Sequence, residues 1–147
     1  MFEHKSEEYM EKIHKFGMIP AWVTDEGEAL NESNAILRYL SEKYNIRGNW
    51  WPEDLIKKQK VDEALDFCGT VFRPGTTLPF YKGWVFPVAT GQPPPTGKKL
   101  ERIERTVDGT LEKLETFIED KKYVAGDEIS IADLQIFSEL TSTIIGM

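Results

Sequence analysis

Residues 19–40, IPAWVTDEGEALNESNAILRYL, decide how the first part of the chain folds. The apolar run that opens this stretch is typical of a strand, and the Asp-Glu-Gly at 25–27 is typical of a turn. Because Pro20 cannot donate to a strand ladder, we place it at the start or edge of that strand. A return strand over 28–30 and a helix that begins near Ser33 follow. The stretch therefore predicts a β-hairpin followed by a helix.

A short helix precedes the hairpin. Ser6 has the side chain of a helix N-cap, two glutamates follow it in the first turn, and Gly17 ends the helix after about Lys15. We expect His14 to lie on the surface at the end of this helix. Residues 1–45 are therefore predicted to form one domain with the order helix, hairpin, helix.

The remainder of the chain is predicted to be helical. Residues 46–53 form a linker, and 54–147 carry helical patterns only. A helix should end at about Arg73, because Pro74 disfavours helical geometry at the residue before it. The fold class is therefore α+β and mainly α.

Two regular helices follow the proline-rich stretch 74–97, where we expect kinked helical turns. Apolar side chains recur at steps of three and four residues through 98–120, which predicts a long amphipathic helix. Ser130 and Asp133 have the residue types and the spacing of a capping box, so the last helix begins at Ser130.

The composition disfavours several classes of function. The 147 residues carry a net charge of −7, which opposes binding to the phosphates of nucleic acid. The longest apolar run, Trp84 to Ala89, is far too short to span a membrane. No spacing of cysteines and histidines suggests a metal site, and the single cysteine, Cys68, cannot form an internal disulfide. We therefore expect a reducing compartment, the cytoplasm.

Three segments, 4–20, 31–40 and 126–134, occur in an order that resembles the glutathione transferases. The His-Lys-Ser opening of the first segment, the Trp50-Trp51-Pro52 connector and the position of Arg73 are most similar to the theta class. The resemblance covers nearly the whole chain. It implies the C-terminal part of a thioredoxin-like domain, built as helix, β-hairpin and helix, followed by a glutathione-transferase-type all-helical domain.

The resemblance also implies a site for glutathione as substrate, without a metal. The pair that matches Ile19-Pro20 has a cis peptide bond in the family, and its backbone binds the cysteinyl part of glutathione. Glu32 and Ser33 match the pair that holds the γ-glutamyl ammonium and carboxylate. His4 and Lys5 match positions that contact the glycyl carboxylate.

Arg73 matches an arginine that theta-class enzymes direct at the thiol or at the leaving group of the electrophile. Each of these assignments has a structural alternative. Arg73 can complement the dipole of a helix end, Glu32-Ser33 can be an ordinary helix start, and His4-Lys5 can be a solvated pair near a frayed terminus.

Family members open with a strand, a helix and a second strand, and this unit carries the hydroxyl that activates the glutathione thiol. The five residues before Ser6 cannot form such a unit, and the family's helical domain continues beyond Met147. We therefore expect a theta-like chain that is truncated at both ends, retains its glutathione-binding elements and is inactive by itself.

Two alternatives remain open. The chain can be a non-catalytic structural subunit, in which a partner protein or a second copy completes the open edge of the hairpin. It can also be a sequence cut short from a full enzyme.

Overall fold

The computed structural model describes residues 2–46 and 48–144, with Ile144 described by its backbone only. The chain divides into two units, Met1–Arg47 and Gly48–Met147. Within residues 2–46 the first unit holds a two-stranded antiparallel sheet and two α-helices, and the second unit is mainly helical. The predicted fold class, α+β and mainly α, is confirmed.

The first unit begins with a 3₁₀ turn, Glu3–Lys5, and helix α1, Glu7–Lys12. The Ser6 hydroxyl accepts a hydrogen bond from the Tyr9 N–H at 3.2 Å, so the predicted cap is confirmed. The helix is shorter than predicted, since it ends at Lys12 and not near residue 15.

A turn that follows α1 explains this early end. His14, which we expected on the surface, is buried. Its backbone N–H donates to the Tyr9 carbonyl at 3.0 Å, and its Nδ1 accepts from the Phe16 N–H at 3.2 Å. Gly17, at φ 57°, then donates to the His14 carbonyl at 2.7 Å. The imidazole is buried because it satisfies the backbone of this turn.

Strands β1, Ala21–Val23, and β2, Ala29–Asn31, form the antiparallel hairpin. One residue, Glu32, separates β2 from helix α2, Ser33–Lys43. At its far end, the Lys43 Nζ lies 2.6 Å from Oδ2 of Asp25 in the hairpin turn. The first residue of α2 thus follows the open end of the hairpin, and its last residue, Lys43, bonds to the turn at the other end.

The second unit opens with α3, Leu55–Phe67. Its helical course does not end at Arg73, so that prediction is wrong. The chain continues through a π-helical segment, Cys68–Phe72, into the short helix α4, Arg73–Gly75. Pro74 is tolerated because it lies in the first turn of α4, where a backbone N–H is not needed as a donor.

Three short segments follow, and they confirm the predicted series of kinked helical turns. They are α5, Thr77–Phe80, a second π-helical segment, Tyr81–Val85, and α6, Phe86–Ala89. A proline again lies in the first turn of α6.

Helices α7, Lys98–Ile118, and α8, Ile131–Ile144, complete the unit close to the predicted bounds. The Asp133 carboxylate accepts from the Ser130 N–H at 2.8 Å, which is one of the two bonds of a capping box, and it also accepts from the Ser130 hydroxyl at 2.9 Å. The core of the second unit is formed by side chains of α3, α5, α7, α8 and the first π-helical segment. Its most buried members include Val61, Ala64, Leu65, Phe72, Phe80, Val107 and Ala132.

Within residues 2–46 and 48–144, no helix is both long enough and apolar enough to cross a membrane. The same ranges contain no group of three or more His, Cys, Asp or Glu side chains that could bind a metal ion.

Candidate functional site

The residues that precede β1 and follow β2 lie at the same end of the hairpin. Ala21 pairs with Asn31 in the antiparallel register, and directly opposed residues are about 5 Å apart between Cα atoms. Pro20 comes just before Ala21, and Glu32 comes just after Asn31. The fold therefore brings together the two residue pairs that the sequence proposes for the cysteinyl and γ-glutamyl parts of a ligand.

Ile19 presents open backbone groups at this end. The Ile19–Pro20 peptide bond is cis, as the resemblance implies. In the part of the chain that the structure describes, neither the N–H nor the C=O of Ile19 forms a hydrogen bond. A backbone with open donors and acceptors next to a strand can pair with an extended peptide. Ile19 can therefore bind the main chain of a peptide ligand.

Glu32 has an unusual backbone conformation, with φ 71° and ψ 118°. Residues other than glycine rarely adopt a positive φ, and such strained conformations cluster at functional sites. The Glu32 side chain is exposed, and its carboxylate bonds to none of the described residues. Glu32 thus combines a strained backbone with a carboxylate that has no partner among the described residues.

Ser33 is the first residue of α2, and the positive end of the dipole of this 11-residue helix lies there. Glu32, the N-cap residue, forms no side-chain cap. The Ser33 hydroxyl has no partner within 2–46 and 48–144. A helix start with an open hydroxyl and first-turn N–H groups is suited to a carboxylate.

The two predicted contacts of the glycyl end differ in their surroundings. The His4 ring lies 5.5 Å from the Phe2 ring, and its imidazole forms no hydrogen bond to the rest of the described chain. The Lys5 ammonium, in contrast, donates to the Gly17 carbonyl at 2.6 Å. Nearby, the Tyr9 hydroxyl donates to the Met18 carbonyl at 2.9 Å. Sequence reasoning did not single out Tyr9, because an aromatic residue at helical spacing is usually explained by its apolar ring.

Arg73 belongs to the second unit, where it forms an ion pair with Glu139. The Arg73 Nη2 lies 2.9 Å from the Glu139 Oε1, and the side chains are 40% and 6% exposed. The Thr77 hydroxyl donates to the other carboxylate oxygen, Oε2, at 2.5 Å. A buried carboxylate therefore orients the guanidinium, whose remaining N–H groups can bind an anion.

Sequence reasoning also missed Glu139, although the sequence contains a signal for it. Glu139 follows Ala132 and Ile136 by seven and three positions, which places it on the buried face of α8. A charged side chain on such a face is rarely buried without a partner. The position of Glu139 on that stripe could have predicted a partner, though not which one.

The Cys68 thiol near this ion pair is not reactive. Burial raises its pKa to about 12, Glu139 adds to the rise and Arg73 opposes it. The thiol is therefore neutral near pH 7, and a neutral thiol is a poor nucleophile. Cys68 is a core side chain, in keeping with its place on the apolar stripe that continues from α3 into the first π-helical segment.

The fold of the chain is that of the glutathione transferases. The family model described as "Glutathione S-transferase, N-terminal domain" matches residues 2–43, and the one described as "Glutathione S-transferase, C-terminal domain" matches residues 81–145. The chain belongs to the glutathione S-transferase family.

Its relatives include theta-class proteins. The chain is 36% identical to glutathione S-transferase theta-1 of Gallus gallus over 129 residues, which are 88% of this chain and 49% of that protein. It is 34% identical to theta-2 of Homo sapiens over 139 residues, which are 94% of this chain and 55% of that protein. The chain therefore spans about half the length of these curated relatives.

Solved theta-class structures share its fold. The apo form of human glutathione S-transferase T1-1 superimposes with a TM-score of 0.85 at 30% identity, over 97% of this chain and 59% of that chain. Human glutathione transferase theta-2, in complex with glutathione and an unknown ligand, gives 0.79 at 34% identity, over 94% and 56%. The predicted resemblance to the theta class is confirmed.

Proposed function

We propose that the first unit of this chain binds glutathione at the end of the hairpin formed by Ile19-Pro20 and Glu32-Ser33. One observation carries this proposal. Polar groups that lie together at this end, on Ile19, Glu32 and Ser33, have no protein partner among the described residues. A site that binds a polar ligand needs several polar groups that lie close together and are not already bonded to the protein. The structure of human theta-2 with glutathione supports the choice of ligand.

Each part of glutathione has a counterpart among these groups. The backbone of Ile19, beside Pro20, pairs with the cysteinyl part. The Glu32 carboxylate binds the γ-glutamyl ammonium, and the Ser33 hydroxyl at the start of α2 binds the γ-glutamyl carboxylate. The His4 imidazole donates to the glycyl carboxylate.

We propose Arg73 as the catalytic residue that acts once the thiol has been activated, because a guanidinium oriented by Glu139 can stabilise a thiolate or a departing anion. The resemblance assigns the hydroxyl that activates the thiol to a unit with no counterpart in residues 1–147. Because a thiol with an ordinary pKa of about 8.5 is mostly neutral at pH 7, we propose that these 147 residues by themselves bind glutathione without accelerating its conjugation.

Calorimetric titration of the 147-residue chain with glutathione tests the binding proposal. We expect a dissociation constant below 1 mM, which means a binding free energy more negative than about −4 kcal/mol. The variant Glu32→Gln, which keeps the shape of the side chain but not its charge, should bind at least about tenfold more weakly, because a charge-assisted hydrogen bond is lost.

Glu28→Gln is the matched control, since Glu28 is an exposed glutamate of the same hairpin. It should bind as the unchanged chain does. Binding weaker than 1 mM in the unchanged chain, or equal losses in both variants, would contradict the proposed site. Faster conjugation of an aryl halide than in buffer would contradict the proposed lack of thiol activation.

A second function, that of a structural subunit, is favoured by a different observation. Within the described residues the sheet has only two strands, so each strand has an outer edge that no third strand covers. Open strand edges pair readily with other chains. In this case a partner protein or a second copy of the chain lies along that edge.

A further inference from the structure

Two side chains of the first unit bond to consecutive carbonyls just ahead of the proposed site. The Lys5 Nζ donates to the Gly17 carbonyl oxygen at 2.6 Å, and the Tyr9 hydroxyl donates to the Met18 carbonyl oxygen at 2.9 Å. The next residue is Ile19, whose backbone groups are open. One side chain of the 3₁₀ turn and one of α1 therefore hold the backbone that leads into the site.

The Tyr9 hydrogen bond determines where the Ile19 N–H points. A peptide unit is planar, and in the trans form its C=O and N–H point in opposite directions. The Met18 carbonyl and the Ile19 N–H belong to one such unit, and Ile19–Pro20 is the only cis bond among the described residues. With the carbonyl directed at Tyr9, the Ile19 N–H points to the opposite side.

Lys5 acts on the preceding peptide unit in the same way. Gly17 has φ 57°, and a methyl group added to it would lie 2.6 Å from the His4 carbonyl oxygen and 3.3 Å from the Lys5 Cδ. The stem of Lys5 thus lies against Gly17 while its ammonium bonds to the Gly17 carbonyl. The close approach is possible only because residue 17 has no side chain.

Lys5 also differs from the other residues assigned to the ligand. His4, Glu32 and Ser33 have polar side-chain groups with no partner among the described residues, whereas the Lys5 ammonium already bonds to a carbonyl. A cation with its shortest contact inside the protein is better placed to shape the site than to bind the glycyl carboxylate.

We propose that Lys5 and Tyr9 are positioning residues, which orient the Gly17–Met18 and Met18–Ile19 peptide units so that the Ile19 N–H faces the ligand. This inference rests on the proposed glutathione site. In this proposal Lys5 acts through the backbone of residues 17–19 and does not bind the glycyl carboxylate directly.

Binding of two ligands to two variants tests the proposal. Lys5→Met removes the ammonium and keeps the stem, and Tyr9→Phe removes only the hydroxyl. The ligands are glutathione and its glycyl ethyl ester, which lacks the glycyl charge. If both residues position the backbone, Lys5→Met should weaken binding of both ligands by the same factor, about tenfold, and Tyr9→Phe by a smaller common factor.

Direct contact predicts a different pattern. If the Lys5 ammonium binds the glycyl carboxylate, Lys5→Met weakens the binding of glutathione but not of the ester, and the proposal is overturned. Lys12→Met is the matched control, because Lys12 is exposed on α1 and pairs with Glu8 at 2.9 Å. It should bind both ligands as the unchanged chain does.

Amide resonances provide a readout that does not depend on the ligand. Loss of a hydrogen bond to a carbonyl shifts the ¹⁵N resonance of the following residue, so Lys5→Met should shift Met18 and Tyr9→Phe should shift Ile19. Lys12→Met should shift neither. Unchanged resonances overturn the positioning role even if glutathione binds. If the resonances shift but the chain binds no glutathione, the proposed function is contradicted. The orientation of the backbone by Lys5 and Tyr9 is then still confirmed.

Discussion

At the scale of single residues, Glu32 is the position where the fold and the proposed function make opposing demands. Its φ of 71° and ψ of 118° lie outside the regions that side chains favour, which costs about 1–3 kcal/mol at such positions. The same residue carries the carboxylate that we assign to the γ-glutamyl ammonium. A glycine would relieve the strain but would remove this carboxylate.

Glu32→Gly should therefore raise stability while it weakens binding. We expect the free energy of unfolding to rise by about 1 kcal/mol, since the relief of strain exceeds the about 0.5–1 kcal/mol of backbone entropy that a glycine costs. Urea unfolding measures the first effect and glutathione titration the second.

The matched control is Glu28→Gly, the same substitution at a residue of the hairpin without a positive φ. There only the entropic cost applies, so stability should fall by about 0.5–1 kcal/mol. If both glycine variants lose stability, the backbone of Glu32 is not strained.

At the scale of elements, α4 and α8 are joined by one buried carboxylate. Glu139 on α8 bonds to Arg73 and Thr77 from the broken helical stretch that follows α3. Removal of one partner of a buried pair leaves an uncompensated charge, which costs more than the pair contributes. The ion pair therefore fixes the packing of these elements as well as the orientation of the guanidinium.

Arg73→Met should destabilise the chain by about 2 kcal/mol. This is below the about 3–5 kcal/mol typical of fully buried pairs, because Arg73 is partly exposed and Thr77 still bonds to the carboxylate. The double variant with Glu139→Gln should recover most of the loss. Urea unfolding of the two single variants and the double variant gives the coupling energy.

Lys60→Met provides the comparison, because Lys60 pairs with Glu63 at 2.6 Å on the exposed surface of α3. It should change stability by less than about 0.5 kcal/mol. If Arg73→Met also changed the free energy of unfolding by less than about 0.5 kcal/mol, burial of the Glu139 carboxylate would not depend on the guanidinium.

At the scale of the whole molecule, the sheet edges that no strand of the described residues covers are where we expect a second copy to pair. Val23 in β1 is 49% exposed, and a charge on a strand that pairs with another chain opposes that pairing. If two copies join along this edge, sedimentation equilibrium should give twice the 16.9 kDa of the chain, and Val23→Lys should restore a mass of 16.9 kDa.

Val88→Lys is the matched control, since Val88 in the second unit is also an exposed valine. It should sediment as the unchanged chain does. A mass of 16.9 kDa for the unchanged chain at all concentrations would exclude pairing of two copies and leave the structural role dependent on a different partner.

The elements and their order follow from the sequence, because helix caps and apolar periods depend on residues only a few positions apart. The caps at Ser6 and Ser130 and the long helix over 98–118 are of this kind. The helix boundary at Arg73 was mispredicted because a π-helical segment places Pro74 in a new first turn. The division of the chain into 1–45, 46–53 and 54–147 stays a prediction.

The partners of the site residues were decided by the tertiary structure alone. Residue types indicated that Lys5 and Arg73 carry useful positive charges, but the Gly17 carbonyl and the Glu139 carboxylate that bind them lie far along the chain. Such contacts depend on how distant segments pack, and a local pattern contains no information about that packing.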